Sequence, residues 1–250
     1  MKPPTNPYLG RIASLVGEKD SRRAVQIFVR THRTPSESLD SLARKLGVSR
    51  IVEQRLPFDG GLFQLPDGEL VVKLNSESPF VRKRFTLAHE VGHLLLKTVP
   101  AFRSAQRTDV ALERTCDIIA AELLMPSEEA MAFIRTMGEP SPEKLKIISS
   151  KYAVSLHVAA IRVHSDFHLW KCFMGLWECR PKIKTSWFVG NRLRWDRVEP
   201  DSYSLDLALS SDTVVESKEL WQRGPAADPV WLKLLHIDGS RVLGLIGFVN

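Results

Sequence analysis

The sequence predicts an α+β protein in which a mainly helical part precedes a mostly β C-terminal part. Apolar residues recur at helical spacing in much of residues 36–165. The period changes to that of strands over residues 51–75. All six tryptophans lie after residue 169, which indicates a separately built C-terminal domain. We therefore predict three segments, with boundaries 1–126, 127–165 and 166–250.

Capping signals predict where the helices begin and end. The first predicted helix covers Ser36–Leu46, with Gly47 as its stop. Ser78-Pro79 opens a helix that runs to about Lys97, because serine caps a helix and proline suits its first turn. Another helix runs from near Asp109 to about Met125, and further helices start at Ser127 and at Ser141-Pro142.

Strand signals appear in two places. Leu62–Leu74 predicts a hairpin, since Pro66-Asp67-Gly68 in its middle are turn residues. In the C-terminal segment, short runs at 187–189, 204–209, 232–237 and 242–249 read as strands.

Apolar runs, cysteine count and net charge limit the classes of protein to which this chain can belong. The longest apolar run, Val242–Val249, is too short to cross a bilayer as a helix, and the first residues lack the apolar stretch of a signal peptide. We therefore expect a cytoplasmic protein without a membrane partner.

Three cysteines give no disulfide framework, and Cys116 fits a small core residue of a helix. The net charge of +6 resides in residues 1–165, and a solvated surface explains it better than a nucleic-acid site.

The segment Phe85–Leu96 contains His-Glu-Val-Gly-His, a match to H-E-x-x-H. Four helical residues turn through about 400°, so His89 and His93 lie on one face and can bind one Zn²⁺. Glu90 is adjacent to a ligand, so its carboxylate can act as the general base on a water at the metal. Two histidines and a glutamate on an otherwise apolar helix would each carry a desolvation cost if unpaired.

A catalytic zinc needs a third protein ligand. The candidate is Glu113, which shares a helix face with Asp117 four residues later. We assign Glu113 to the metal and Asp117 to the outer N–H of a ligating histidine. Glu122 is the rival ligand, about 90° of rotation away on the same helix. Acids at a helix N-terminus also occur simply because the macrodipole favours them.

These two segments together resemble the ImmA/IrrE family of metallopeptidases. The likeness lies in Arg84–His93 and in E-x3-D-x2-AAELLMP at Glu113–Pro126, and it covers about residues 36–165. The family pattern has Ala-Asn and Phe where this chain has Cys116-Asp117 and Ile119, and the aspartate keeps a hydrogen-bond acceptor.

The resemblance implies a thermolysin-like zinc peptidase domain with one Zn²⁺ per chain held between two packed helices. It also implies a protein substrate, a helix-turn-helix transcriptional repressor whose cleavage relieves repression. An oxyanion-stabilising donor should complete such a site, and Tyr152 and His157 are candidates by residue type alone. Mn²⁺ or Fe²⁺ can replace zinc at this kind of site.

Residues 143–163 predict two helices joined by a short turn, with Ser155 capping the second, which is a helix-turn-helix-like pattern. Only Arg162 in that second helix offers a strong contact to phosphate or base, so we favour a helical hairpin packed against the metal domain over direct DNA binding.

Three functions compete at this point. The first is an active endopeptidase of narrow specificity, and the retained Glu90 favours it. The second is a DNA-binding or ligand-sensing regulator whose zinc centre is structural or inactive. The third is a zinc hydrolase acting on a small molecule.

Overall fold

The computed structural model describes residues 25–27, 29–30, 37–97, 110–180, 182–190, 198–217, 220–222 and 231–247. The chain divides into two compact units, Met1–Ser127 and Glu128–Asn250. The second unit runs across the boundary predicted at residue 165, and the three-segment division stays a prediction. Within the described ranges, no helix has the length and apolar character that crossing a bilayer requires.

The first unit combines helices with a small sheet. Its elements are α1 (Leu39–Lys45), β1 (Val48–Gln54), β2 (Gly60–Gln64), β3 (Leu70–Asn75), α2 (Phe80–Lys97) and α3 (Val110–Leu124). The sheet order is β1-β3-β2, with β1 parallel and β2 antiparallel to β3.

The predicted hairpin is confirmed as β2 and β3, which pair Leu62 with Val72 across the ladder. In the turn, the Asp67 carboxylate accepts the Glu69 N–H and Gly68 has a φ of +89°. The strand period predicted over residues 51–75 includes most of β1, but the parallel pairing of β1 with β3 was not predicted. The two strands lie some twenty residues apart in the chain, and local alternation says nothing about parallel pairing.

The predicted helices of this unit are confirmed within the described residues. Ser38 caps α1 by accepting the Ser41 N–H at 3.1 Å. The predicted start at Ser36 lies outside the described residues, as does Asp109 before α3. The inner faces of α2 and α3 are buried, so both helices are held by core packing.

The second unit places helices beside an antiparallel sheet. Its elements are α4 (Ser127–Arg135, starting at the last residue of the first unit), α5 (Pro142–Tyr152), α6 (Leu156–Ile161), a π-helical turn (Arg162–Asp166), β4 (Phe173–Glu178), β5 (Lys184–Val189), β6 (Val198–Pro200), α7 (Ser202–Leu209), β7 (Val215–Ser217), β8 (Leu220–Gln222), β9 (Trp231–Asp238) and β10 (Arg241–Gly247). The main sheet has the order β5-β4-β10-β9-β7, and β6 pairs with β8.

The mixed α+β class is confirmed, and one predicted strand is wrong. The runs at 187–189, 232–237 and 242–249 fall in β5, β9 and β10, although residues 248–250 lie outside the described part. The run at 204–209 is the helix α7. The Asp201 carboxylate caps it by accepting the Ser204 N–H at 2.9 Å, and Leu205 and Ala208, three residues apart, enter the core beside Trp177.

The helix-turn-helix-like segment forms the two predicted helices, α5 and α6. Ser155 caps α6 by accepting the Val158 N–H at 3.1 Å. Within the second unit, α6 packs on β5 and α5 on β9. The predicted packing of this helical hairpin on the metal domain stays a prediction. Arg162 is buried and pairs with Asp166 at 2.9 Å, so its guanidinium is held inside the unit.

The β2–β3 hairpin depends on a glycine at position 60. Gly60 has a φ of +152°, and a Cβ there would overlap the Lys73 carbonyl oxygen. Gly68 also has a positive φ, but a Cβ there would meet open space. We expect Gly68→Ala to cost about 1–2 kcal/mol of backbone strain and Gly60→Ala to cost more, because the hairpin must also shift. Thermal unfolding of the two variants checks this: equal midpoints would contradict the close contact at Gly60.

Candidate metal centre

Helix α2 carries the two motif histidines one turn apart on a single face. Their rings lie with centroids 4.9 Å apart in an edge-on arrangement, and their Nε2 atoms are 3.1 Å apart. Both side chains are 18% exposed, so they reach a cleft from a helix whose other face is core. The predicted pairing of His89 and His93 is therefore present in the geometry.

Glu113 of α3 meets both rings. One carboxylate oxygen lies 3.1 Å from His89 Nε2, and the other lies 3.4 Å from His93 Nε2. Ligand atoms at two corners of a zinc tetrahedron are about 3.3 Å apart, given metal–ligand bonds of about 2.0–2.2 Å. The three donors form a triangle of nearly that size, so the residues present fit a zinc ion. Their role as ligands stays a prediction.

Asp117 supports His89 from the side away from this triangle. Its Oδ1 lies 2.9 Å from His89 Nδ1, which places the Nδ1 proton against the carboxylate and leaves Nε2 free to bind a metal. Burial acts to lower the pKa of His89, but the hydrogen bond and charge of Asp117, with smaller contributions from Glu90 and Glu113, leave that pKa raised. The contact is the one predicted for Asp117.

Glu90 is positioned by the neighbouring sheet. The backbone N–H of Leu62 in β2 donates to Glu90 Oε2 at 3.1 Å. This hydrogen bond ties the carboxylate to the strand that lines the same cleft. The sequence located Glu90 through its motif, but it gave no signal that a backbone group 28 residues away would orient it.

The crossing of α2 and α3 is close because position 92 is glycine. A Cβ on Gly92 would lie 3.3 Å from both the Cα and the carbonyl oxygen of Cys116. Cys116 is fully buried, as predicted, and burial raises the pKa of its thiol. Its sulfur and one ring nitrogen from each of His89 and His93 lie within 4.8 Å of one another. The sequence gave no sign of this proximity.

The donors face a cavity of about 750 Å³ in the first unit. Arg82, two turns before His89 on α2, lines it and donates from Nε and Nη2 to Asp59 at 2.9 and 2.6 Å. The bond from Arg82 holds the pKa of Asp59 below its usual value. The structure therefore places an ion pair at the rim of the cleft.

The other candidate residues are engaged elsewhere. Glu122, the rival ligand, is buried and accepts the Ser127 N–H and hydroxyl at 2.9 and 2.6 Å, so it caps α4. In the second unit, the Tyr152 hydroxyl donates to Glu129 at 3.3 Å. His157 stacks on Trp187 there, and burial lowers its pKa. Neither Tyr152 nor His157 gains support as the oxyanion-stabilising donor.

Comparison with known proteins finds similar sequences for part of the chain. Residues 43–164 match the family model described as Peptidase_M78, IrrE N-terminal-like domain. The chain is 30% identical over 92 residues to the radiation response metalloprotease IrrE of Deinococcus radiodurans. That alignment covers 34% of this chain and 28% of the relative. The predicted resemblance to the ImmA/IrrE family is confirmed.

A solved structure shares the fold. A transcriptional regulator of Mycobacterium tuberculosis aligns with a TM-score of 0.59 and 11% identity, over 97% of this chain and 81% of that one. At this identity the match shows fold alone.

Removal of one imidazole should empty the centre. We expect about one zinc per chain in the purified protein and almost none in His93→Ala, because two remaining donors bind zinc weakly. His236→Ala, on β9 of the second unit, is the matched control and should keep its zinc. Elemental analysis after gel filtration measures this, and zinc retained by His93→Ala would contradict the predicted ligand set.

Because Asp117 contacts His89, two substitutions of Asp117 should differ in their effect on zinc affinity. Asp117→Ala removes the acceptor and should weaken zinc binding by about 10- to 100-fold. Asp117→Asn keeps an acceptor oxygen at the same position and should stay much closer to the wild type. Competition with a chelator measures both affinities, and identical losses in the two variants would argue against an orienting role.

Proposed function

We propose that this protein is a zinc-dependent endopeptidase of narrow specificity. The observation that carries the proposal is the meeting of His89, His93 and Glu113 in a cleft that also holds Glu90. Three protein donors leave a fourth position open, which is the arrangement of catalytic rather than structural zinc. The family model over residues 43–164 includes these residues, and the relative described as a metalloprotease is 30% identical over 92 residues.

The residues divide the work of hydrolysis in a simple way. Bound zinc would supply Lewis-acid polarisation of the scissile carbonyl and of the attacking water. Glu90 takes the proton of that water and later returns it to the leaving amine. The Leu62 N–H holds the Glu90 carboxylate beside the cleft, and Asp117 holds His89 in the tautomer that binds metal.

The edge strand of the small sheet favours a peptide over a small molecule as the substrate. In the described part of the first unit, β2 has a partner strand on one side, and Gly60 and Leu62 of this strand line the cavity. An extended chain can add to a sheet edge through main-chain hydrogen bonds, with specificity from alternate side chains. A small-molecule substrate has no comparable use for a strand edge.

We further propose that the substrate is a helix-turn-helix transcriptional repressor. Two points support this choice: the resemblance to the ImmA/IrrE family and the match to a radiation response metalloprotease. Direct DNA binding by this chain itself is less well supported, because Arg162, the strongest candidate for a DNA contact, is buried in an ion pair.

A regulator with a structural zinc centre is the second candidate. The solved structure that shares the fold is described as a transcriptional regulator. In that case Glu90 would be dispensable, so a single substitution separates the two functions.

Glu90→Gln keeps the size of the side chain and the acceptor for the Leu62 N–H but removes the base. We expect zinc content to be unchanged and cleavage to fall by about 10²- to 10⁴-fold. The measurement is mass spectrometry of new N-termini after zinc-loaded protein is incubated with a proteome-derived peptide library.

The same labelling in cells that produce wild type or Glu90→Gln tests the proposed substrate. New termini inside a helix-turn-helix repressor, present only with the wild type, would support repressor cleavage. Identical termini with both proteins in both assays would overturn the peptidase proposal and favour the regulator.

A further inference from the structure

We propose that Arg82 makes the endopeptidase selective for substrates that carry an acidic side chain about three residues after the scissile bond. This inference rests on the proposed function and names a specificity-determining residue for it. The observation behind it is that Arg82 lines the cavity of the candidate metal centre with a guanidinium that Asp59 holds in place.

The bonds of the ion pair favour an acidic ligand over a basic one. Arg82 Nε and Nη2 both donate to Oδ2 of Asp59, and the Ser78 hydroxyl donates to Oδ1 at 3.1 Å. Both oxygens of Asp59 are therefore engaged. A guanidinium has N–H donors on three nitrogens, so these two bonds leave the Nη1 amino group for a ligand. The Arg82 side chain is 57% exposed, so a second carboxylate can reach it and form a charge-assisted bond.

Contacts between β2 and α2 define the position of Arg82 along the cleft. Asp59, immediately before the strand, bonds to Arg82, and the Leu62 N–H further along the strand bonds to Glu90. The strand and the helix therefore run side by side in the same direction. Arg82 lies at the end of the cleft where the strand begins, and Glu90 lies further along with the proposed metal ligands.

A substrate that adds to β2 places a particular residue beside Arg82. The Asp59 carbonyl accepts the Asn75 N–H at 2.9 Å, so alternation along the antiparallel ladder turns the backbone groups of Leu62 to the free edge. An antiparallel substrate on that edge has its C-terminal residues at the Arg82 end. Arg82 precedes His89 on α2 by about two helical turns, or about 10.5 Å, which about three residues of extended chain can span.

The contact should act on substrate binding rather than on the chemical step. Because Arg82 lies away from the reacting bond, its interaction is equally strong in the bound substrate and in the transition state. Loss of such an interaction raises KM, and the change in kcat/KM follows from KM. A hydrogen bond between ionised groups accounts for an effect of about tenfold or more.

Paired peptides test this selectivity. A sequence that the wild type cleaves in the peptide library is synthesised with glutamate, glutamine or lysine at the third residue after the scissile bond. Each peptide continues beyond that residue and ends in an amide, so no terminal carboxylate supplies the charge. We expect the wild type to prefer glutamate over glutamine by about tenfold or more in kcat/KM, through KM.

Substitutions of Arg82 should change this ratio in a defined direction. The preference for glutamate should fall toward equality in Arg82→Ala and turn into a preference for lysine in Arg82→Glu. Arg50→Ala is the matched control, since it breaks an ion pair with Glu69 that is equally exposed but lies outside the cavity lining. This control should keep the wild-type ratio.

Peptide binding gives a readout that does not depend on turnover. Zinc-loaded Glu90→Gln protein should bind a fluorescent glutamate peptide more tightly than its glutamine counterpart, as measured by anisotropy. The difference should shrink as salt is added, because salt screens exposed charges. It should disappear when Arg82→Ala is combined with Glu90→Gln, and thermal unfolding of the double variant checks that it is folded.

The outcomes separate this proposal from the proposed function. Cleavage by the wild type with equal kcat/KM for the glutamate and glutamine peptides, or with a preference for lysine, would overturn the role of Arg82 and leave the peptidase standing. A preference for glutamate that persists in Arg82→Ala would also overturn that role. Cleavage of no peptide in the library would overturn the proposed function and the selectivity with it.

Discussion

The close crossing of α2 and α3 is the constraint on which the site depends. Neither helix holds a complete centre: α2 supplies two imidazoles and α3 supplies a carboxylate. The two helices approach closely at Gly92, where a Cβ would lie only 3.3 Å from the Cα and the carbonyl oxygen of Cys116. Core packing along both helices then fixes the donors at separations that suit a single tetrahedral ion.

The small sheet and the segment before it also contribute contacts to the site. Its strand β2 gives a backbone N–H to Glu90, so the proposed general base is held by an element outside the helices that carry the proposed ligands. The Arg82–Asp59 ion pair links the first turn of α2 to the segment just before β2. The proposed ligands, the proposed base and the strand edge therefore all belong to the first compact unit.

The sequence predicted the motif residues and the helix caps, which depend on neighbouring residues. It did not predict the contacts between residues that are far apart in the chain. His89, Glu90 and His93 follow from the motif and its helical spacing, and Ser141 and Ser155 cap the helices as predicted. The cap of α1 is Ser38, two residues after the predicted start. The Leu62 and Cys116 contacts join residues more than twenty positions apart, which no periodicity encodes. The helix α7 was misread as a strand because Ser-Leu-Asp-Leu-Ala-Leu alternates like one, while its cap and core contacts impose a helix.

The central claim is that one divalent metal lies between α2 and α3. The most direct measurement is an anomalous difference map from crystals grown with zinc, with data collected at the zinc absorption edge. We predict one peak per chain, about 2.0–2.2 Å from Nε2 of His89, Nε2 of His93 and a carboxylate oxygen of Glu113. A map without a peak there, or with the ion bound by other residues, would contradict the account.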